Sequence, residues 1–202
     1  EYRMLNDGVN IKDAFYVNKD AEVTVNGTLY PGSEDQPIVA LPISDAQIAE
    51  WEGDALAGGV MLSSACDSYS GASNTCTISS SKTIGPIKVP FNLLVKTSNG
   101  ILTIAGPVWV AGNITTQTGP TIRMAPALGN KNVAIIADNP ADRINSSIIN
   151  IQQSTIFQNS GSAGSFIFLI SQNNSAELGG SIDAIDLSQG ASAMVAYASH
   201  GL

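Results

Sequence analysis

NLLVKTSNGILTIAGPVWVAGNITTQTGPTIRM, running from Asn92 to Met124, decides how the rest of this chain is read. Short apolar runs at 93–95, 102–104, 108–110, 114–116 and 122–124 are separated by Asn, Gly, Pro, Ser and Thr. The stretch also repeats itself. NLLVKTSNG from Asn92 lies 21 residues ahead of NITTQTGP from Asn113, polar on polar and apolar on apolar. Strands too short to stand alone, recurring at a period in this range, mark a stacked solenoid.

Downstream, the same punctuation predicts strands at 133–136, 148–151, 155–158, 166–170, 184–187 and 194–197. One face recurs as 93–95, 114–116, 149–151 and 185–187, at intervals of 21, 35 and 36 residues. A second recurs as 102–104, 122–124, 155–158 and 194–197, and a third as 108–110, 133–136 and 166–170. Three faces repeating in one order predict an all-β fold, a three-sided parallel β-helix, with insertions at 126–131 and 139–145. Parallel stacking at about 4.8 Å lets inward Val, Ile and Leu line a narrow core while Asn, Ser and Thr turn the corners.

Upstream lies the one strong helix signal, PISDAQIAEWEGDALAGG from Pro42 to Gly59. Ser44 is an N-cap, Gln47 completes a capping box, and Ile43 with Ile48 forms a hydrophobic staple. Ile48, Trp51 and Ala55 share one face, and Gly58-Gly59 supply the stop. The helix, spanning about residues 44–57, is expected to cap or flank the sheet stack, with Trp51 as a core anchor. Residues 1–41 read as N-terminal strands (an early coil or edge segment), including 9–11, 14–17 and a turn at Asn26-Gly27. Residues 42–59 are then the covering helix and 60–202 the solenoid.

Charged residues make up 13% of the chain, against about a quarter in ordinary domains. Net charge is −8 and the 9 basic residues form no cluster, so phosphate-backbone binding is not expected. No apolar run reaches the length of a membrane span. The sequence starts at Glu1 and stops after an apolar run at Leu202, and it is expected to be a piece of a longer protein. Cys66 and Cys76 flank a loop of small polar residues, and with one histidine in the chain a four-ligand zinc site is not expected. A disulfide closing this exposed loop is the expected state, contributing roughly 3 kcal/mol and implying a compartment outside the reducing cytosol.

PISDAQIAEWEGDALAGGV, TIGPIKV, GILTIAGPVWVAGNIT, VAIIAD, GSAGSFIFLIS and AIDLSQGASAMVAYASHG follow one another along the chain. In that order they resemble the ectodomains of large pilin-like, type IV pilus-associated surface proteins of bacteria, many from uncultivated small-genome lineages. The resemblance runs from Pro42 to the end and implies a β-solenoid with a structural, adhesive role and no catalytic residues. The expected localisation is extracellular, at the cell surface. Expected partners are other surface or pilus subunits, or glycans of a host or neighbouring cell, with no cofactor.

Other readings rest on particular residues. A carbohydrate-binding or ice-binding solenoid module is the alternative, and a polysaccharide-degrading β-helix enzyme a third. His200, the lone histidine, is expected to be solvated or in a turn, since a Ser/His/Asp triad needs a carboxylate behind it and a nucleophile before it. Asp183 and Asp186 could serve glycoside hydrolysis as a pair, but three residues apart on a strand they point to opposite faces. Asp138 with Asp142 and Arg143 is read as a loop ion pair, and a loop cation could sit near Glu34-Asp35. Thr115, Thr116, Thr118 and Thr121 are the residues an ice face would use, though Lys96, Gln152 and Ser188 break the row. The Asn-x-Ser/Thr sites at Asn26, Asn113, Asn145 and Asn173 are those expected by chance. Tyr69 and Trp109 are the notable aromatics, and Trp109, opposite in parity to Val108 and Val110, is expected against the helix.

Overall fold

Alternation gives each short apolar run one dry face and one wet one. Leu93, Val95, Leu102 and Ile104 are buried while the residues between them are only partly covered. The computed structural model describes residues 14–16, 28–31, 43–97, 100–152, 154–188 and 194–200. They fall into two units, Glu1–Ala40 and Leu41–Leu202. In the first, β1 (Ala14–Tyr16) and β2 (Leu29–Pro31) pair in parallel. The expected strand at 9–11, the Asn26-Gly27 turn with its acceptor Asn26, and the Glu34-Asp35 loop lie outside the described residues.

The second unit opens with α1 (Asp45–Ala57) and an edge strand β3 (Ser68–Ser70). Then follow β4 (Thr75–Ile78), β5 (Lys82–Ile84), β6 (Ile87–Val89), β7 (Asn92–Val95), β8 (Ile101–Ile104), β9 (Val108–Val110) and β10 (Ile114–Thr116). The series ends with β11 (Thr121–Met124), β12 (Val133–Ala137), β13 (Ile149–Ile151), β14 (Ile156–Gln158), β15 (Ile167–Ser171), β16 (Ile185–Leu187) and β17 (Met194–Ala198). Sheet I has the order β16-β13-β10-β7-β4-β3, sheet II β14-β11-β8-β5, and sheet III β17-β15-β12-β9-β6. All pairs in them are parallel except β3 with β4. From β4 to β16 the chain visits the sheets in rotation, one strand to each per circuit.

Register follows the repeat in the sequence. Leu93 pairs with Ile114, Ile114 with Ile149 and Ile149 with Ile185, the 21-, 35- and 36-residue offsets. A shorter circuit precedes them, with Cys76 opposite Leu93. One expected pairing is corrected. Residues 194–197 belong to sheet III and not to the second face, because β17 pairs along its whole length with β15, Ile167 opposite Met194. Alternation identifies a strand but not its sheet, and a five-residue run finds its match in five-residue β15 and not in three-residue β14.

The long offsets arise from two insertions that recur one circuit later. Residues 125–132 lie over 159–166, joined by Phe166 N–H to Asn132 Oδ1 at 2.9 Å and by the Ser160 hydroxyl to the Gly129 carbonyl. Residues 138–148 lie over 172–184, where Asn173 Nδ2 reaches the carbonyls of Ile144 and Ser146 at 3.0 and 2.7 Å. Corners without insertions are tight. TIGPIKV and TIAGPVWV stack so closely that a Cβ on Gly85, itself at φ +90°, would meet the Gly106 carbonyl oxygen at 2.4 Å.

The disulfide is present between Cys66 and Cys76, Cα atoms 5.4 Å apart. It does more than close a surface loop, since Cys76 is fully buried in the main core with Met61 beside it. Reduction is expected to lower stability by about 2–4 kcal/mol. An equal melting midpoint with and without reductant would contradict this.

Corner amides tie successive circuits together. Asn92 Oδ1 accepts from Asn113 N–H at 2.8 Å, and Asn113 Oδ1 accepts from Ile148 N–H at 3.0 Å. Removing the second acceptor by Asn113→Ala leaves a part-buried amide unpaired. The expected cost is about 1–3 kcal/mol in urea denaturation, and an unshifted midpoint would show that the corner carries no such bond.

Candidate functional site

The densest set of charged and aromatic groups lies where α1 crosses sheet III. Ser44 caps the helix, its hydroxyl accepting from Gln47 N–H at 3.3 Å; the reciprocal Gln47 side-chain bond of a full capping box is not made. Ile48 and Ala55 are buried and Trp51 half-buried, so the expected stripe faces the sheet. With 13 residues α1 is about 20 Å long, and the five strands of sheet III span about 19 Å, so one helix covers the sheet's width. Ahead of the helix, the Ile43 carbonyl accepts from the Tyr197 hydroxyl on β17 at 2.7 Å. Trp51 stacks on Phe168 of β15, ring centroids 6.3 Å apart. At the far end a Cβ on Gly58 would collide with the Pro86 carbonyl, so only glycine allows this approach, and Gly59 at φ +111° turns the chain away.

Between these contacts runs a polar seam. Asp138 directly follows β12 and its side chain is fully buried. Both its oxygens are taken by Arg143, Oδ1 by Nε at 2.7 Å and Oδ2 by Nη2 at 2.8 Å. The Asp138 backbone carbonyl accepts from Trp109 Nε1 at 2.9 Å, and Lys88 Nζ sits 3.5 Å from the centre of the Trp109 ring. Trp109 thus occupies the helix-facing side of sheet III, where Lys88, Trp109, Ile136, Ile170 and Tyr197 form one row across the strands.

Glu52 completes the seam from the helix. Its Oε1 is buried without a partner, and its carboxyl lies within the field of Asp138. Burial first, and then the negative charge and hydrogen bonding of Asp138, push the Glu52 pKa up to about 7, while Arg143 and Lys88 pull the other way. The expected Asp138–Arg143 ion pair is therefore real, but Asp142 is not part of it: its carboxylate receives Asn145 instead. Glu52 and Lys88 were the missing members. The clue in the sequence is that Glu52 lies between Ile48 and Ala55, within the apolar stripe. Chemically the seam stores a proton near neutrality. A glycosidase pair holds its sugar between two carboxyls about 5–10 Å apart, whereas Asp138 is fully buried with both oxygens held by Arg143.

The remaining candidates are dispersed. His200 lies in a turn, partly covered: Nδ1 lies 2.9 Å from Glu177 and Nε2 3.0 Å from the Gln172 amide oxygen, with Asp45 at 4.0 Å. A carboxylate stands behind the ring, but Gln172 occupies the place of a nucleophile. Asp183 and Asp186 are both exposed, and only Asp186 is on a strand. Thr116 is buried and hydrogen-bonded to Thr155 at 2.8 Å, Thr115 lies in sheet I and Thr121 in sheet II, so they share no face. Asn113 and Asn173 are engaged in bonds between circuits, while Asn145 is exposed. Tyr69 tilts against Phe91 at 5.1 Å. Among the described residues no group of three or more His, Cys, Asp or Glu could hold a metal, and no helix is long and apolar enough to cross a membrane.

No protein-family model matches this chain, and neither a curated protein nor a solved structure matches it.

Two carboxyls give opposite pH dependences. The folded protein holds the Glu52 proton more tightly than an unfolded chain does. Its contribution to stability is complete below pH 4.5 and is lost as pH rises through about 7. Asp67 is held well below the usual carboxylate range, chiefly by Lys82 at 2.9 Å and also by the amides of Ser79 and Ser80. Its contribution is present above pH 3.8 and is lost on acidification. Glu52→Gln is expected to flatten the fall in melting temperature between pH 4.5 and 7 and leave the acid limb unchanged. An undiminished fall in the variant would show that the seam does not hold the proton.

Proposed function

We propose that the second unit is a three-sided parallel β-helix serving as the non-catalytic, adhesive ectodomain of a secreted or surface-anchored pilin-like protein. The observation that carries this reading is the rotation of the chain through three parallel sheets around one aliphatic core. The interior void, lined by residues such as Leu102, Ile122 and Leu169, amounts to about 10 Å³, so the side chains of the three sheets fill their own centre. A filled stack is rigid and presents flat outer rows at a spacing of about 4.8 Å. Sheet I offers Thr77, Leu94, Thr115, Asn150 and Asp186, and sheet II offers Thr83, Thr103, Arg123 and Gln158. Such rows suit hydroxyl-rich ligands and neighbouring protein surfaces. The disulfide fits an oxidising, extracellular location. The resemblance of its segment order to pilin-like ectodomains supports assembly with other surface or pilus subunits, or contact with glycans of neighbouring cells.

Beads coated with the protein are expected to be retained under flow on cell-coated or polysaccharide-coated surfaces several-fold above albumin-coated beads. Equal retention on every surface would overturn the adhesive reading.

A further inference from the structure

We propose that the groove at the ends of β11 and β14, where the chain leaves sheet II, binds the carboxylate of an acidic glycan, with Arg123 as its anchor. The proposal rests on the adhesive reading only for the origin of the glycan.

Arg123 alternates with Ile122 and Met124, which are buried, so its side chain leaves the sheet outward. It lines an open groove of about 510 Å³, walled by Pro126 on one side and by Gln158, Asn159 and Gly161 on the other. That volume lies within the range of about 300–1,000 Å³ common for small-ligand sites. Among the described residues no carboxylate or carbonyl receives the guanidinium, and its Nε is shielded from water without a partner. The two Nη groups are the donors left open to an arriving carboxylate, which they can hold through the two parallel bonds that guanidinium geometry favours.

The neighbouring groups are donors of the right kind. Gln158 is the register partner of Arg123, so their side chains stand side by side. Asn159 Oδ1 is occupied by Gly161 N–H at 3.0 Å, which leaves its amide hydrogens for a ligand. The wall is fixed before any ligand arrives, because Ser160 bonds both the Gly129 carbonyl and, at 3.0 Å, the Ser165 hydroxyl.

Charge points the same way. The chain carries −8 overall, yet no Asp or Glu occurs between residues 68 and 137, a segment holding Lys82, Lys88, Lys96, Arg123 and Lys131. No strand of sheet II contains an acid. An anion approaching this face therefore meets no like charge on its strands. A lone Arg fork favours one planar carboxylate over a polyphosphate, which recruits several cations at once. Beside the groove, Thr83 and Thr103 continue the Arg123 row for sugar hydroxyls. Ile101 and Ile156 flank Thr121 in the adjacent row, offering an apolar strip to the C–H face of a sugar ring.

The test is calorimetric titration of the whole chain with a tetrasaccharide of glucuronic acid and with its methyl ester. Binding of the acid, loss of at least about tenfold with the ester, and a similar loss in Arg123→Gln and Arg123→Lys are expected. The Lys variant keeps the charge but not the fork, and both variants are expected to melt with the parent because Arg123 has no partner to lose. Equal affinity for acid and ester, parent-like binding by Arg123→Gln, or no binding at millimolar tetrasaccharide would each overturn the proposal. Retention of coated beads without uronate binding would sink this site and leave the adhesive reading standing. Uronate binding through Arg123 without bead retention would do the reverse.

Discussion

Register between successive circuits is the constraint on which the rest of the second unit depends. A slip of one residue would send Leu93, Ile114, Ile149 and Ile185 to the opposite face of sheet I. The backbone ladder alone would tolerate such a slip, since its bonds re-form one step along. The inward aliphatic residues and the corner side chains of Asn92 and Asn113 would not. Circuits of very different length share one register because their excess residues are placed at corners and matched in pairs. Residues 125–132 bond to 159–166 and 138–148 to 172–184, so the insertions form a second layer of contacts outside the strands.

Much of this architecture was visible in the residues, and for a physical reason. Short strands with one buried face must alternate, and stacked strands must repeat, so both the elements and the 21-, 35- and 36-residue offsets leave marks in the sequence. The sheet to which residues 194–197 belong left no such mark, because any alternating run presents the same pattern to any neighbour. VAIIA and IFLIS carried information about the helix as well. A strand buried on both faces contains few polar residues, and β12 is covered inside by the core and outside by Ile48 and Trp51.

The polar seam was less legible. Asp138 and Arg143 are five residues apart and could be paired by eye, but Glu52 and Lys88 reach them only through the fold. Arg123 was likewise readable as outward, while its lack of a partner is a property of the groove around it. An acidic residue inside an apolar helical stripe is the general clue. It must meet either a cation or another carboxyl with which to share a proton. The two ends of the helix fix where it sits, since Ile48 and Trp51 would accept several positions on an apolar sheet but Ile43 is bonded to Tyr197 and Gly58 abuts Pro86.

The bond from Tyr197 to the Ile43 carbonyl spans 154 residues of sequence. In a plain stack each layer leans only on its neighbours, so the ends can fray and partial structures can persist. Here α1 packs on β6, β9 and β12, and the residue ahead of it, Ile43, is held by β17. The contact that joins the helix entrance to β17 closes a long loop, which carries an entropic cost that contacts between neighbouring strands do not. Once closed, it couples the earliest strand of sheet III to the last, and a nearest-neighbour array behaves as one cooperative unit.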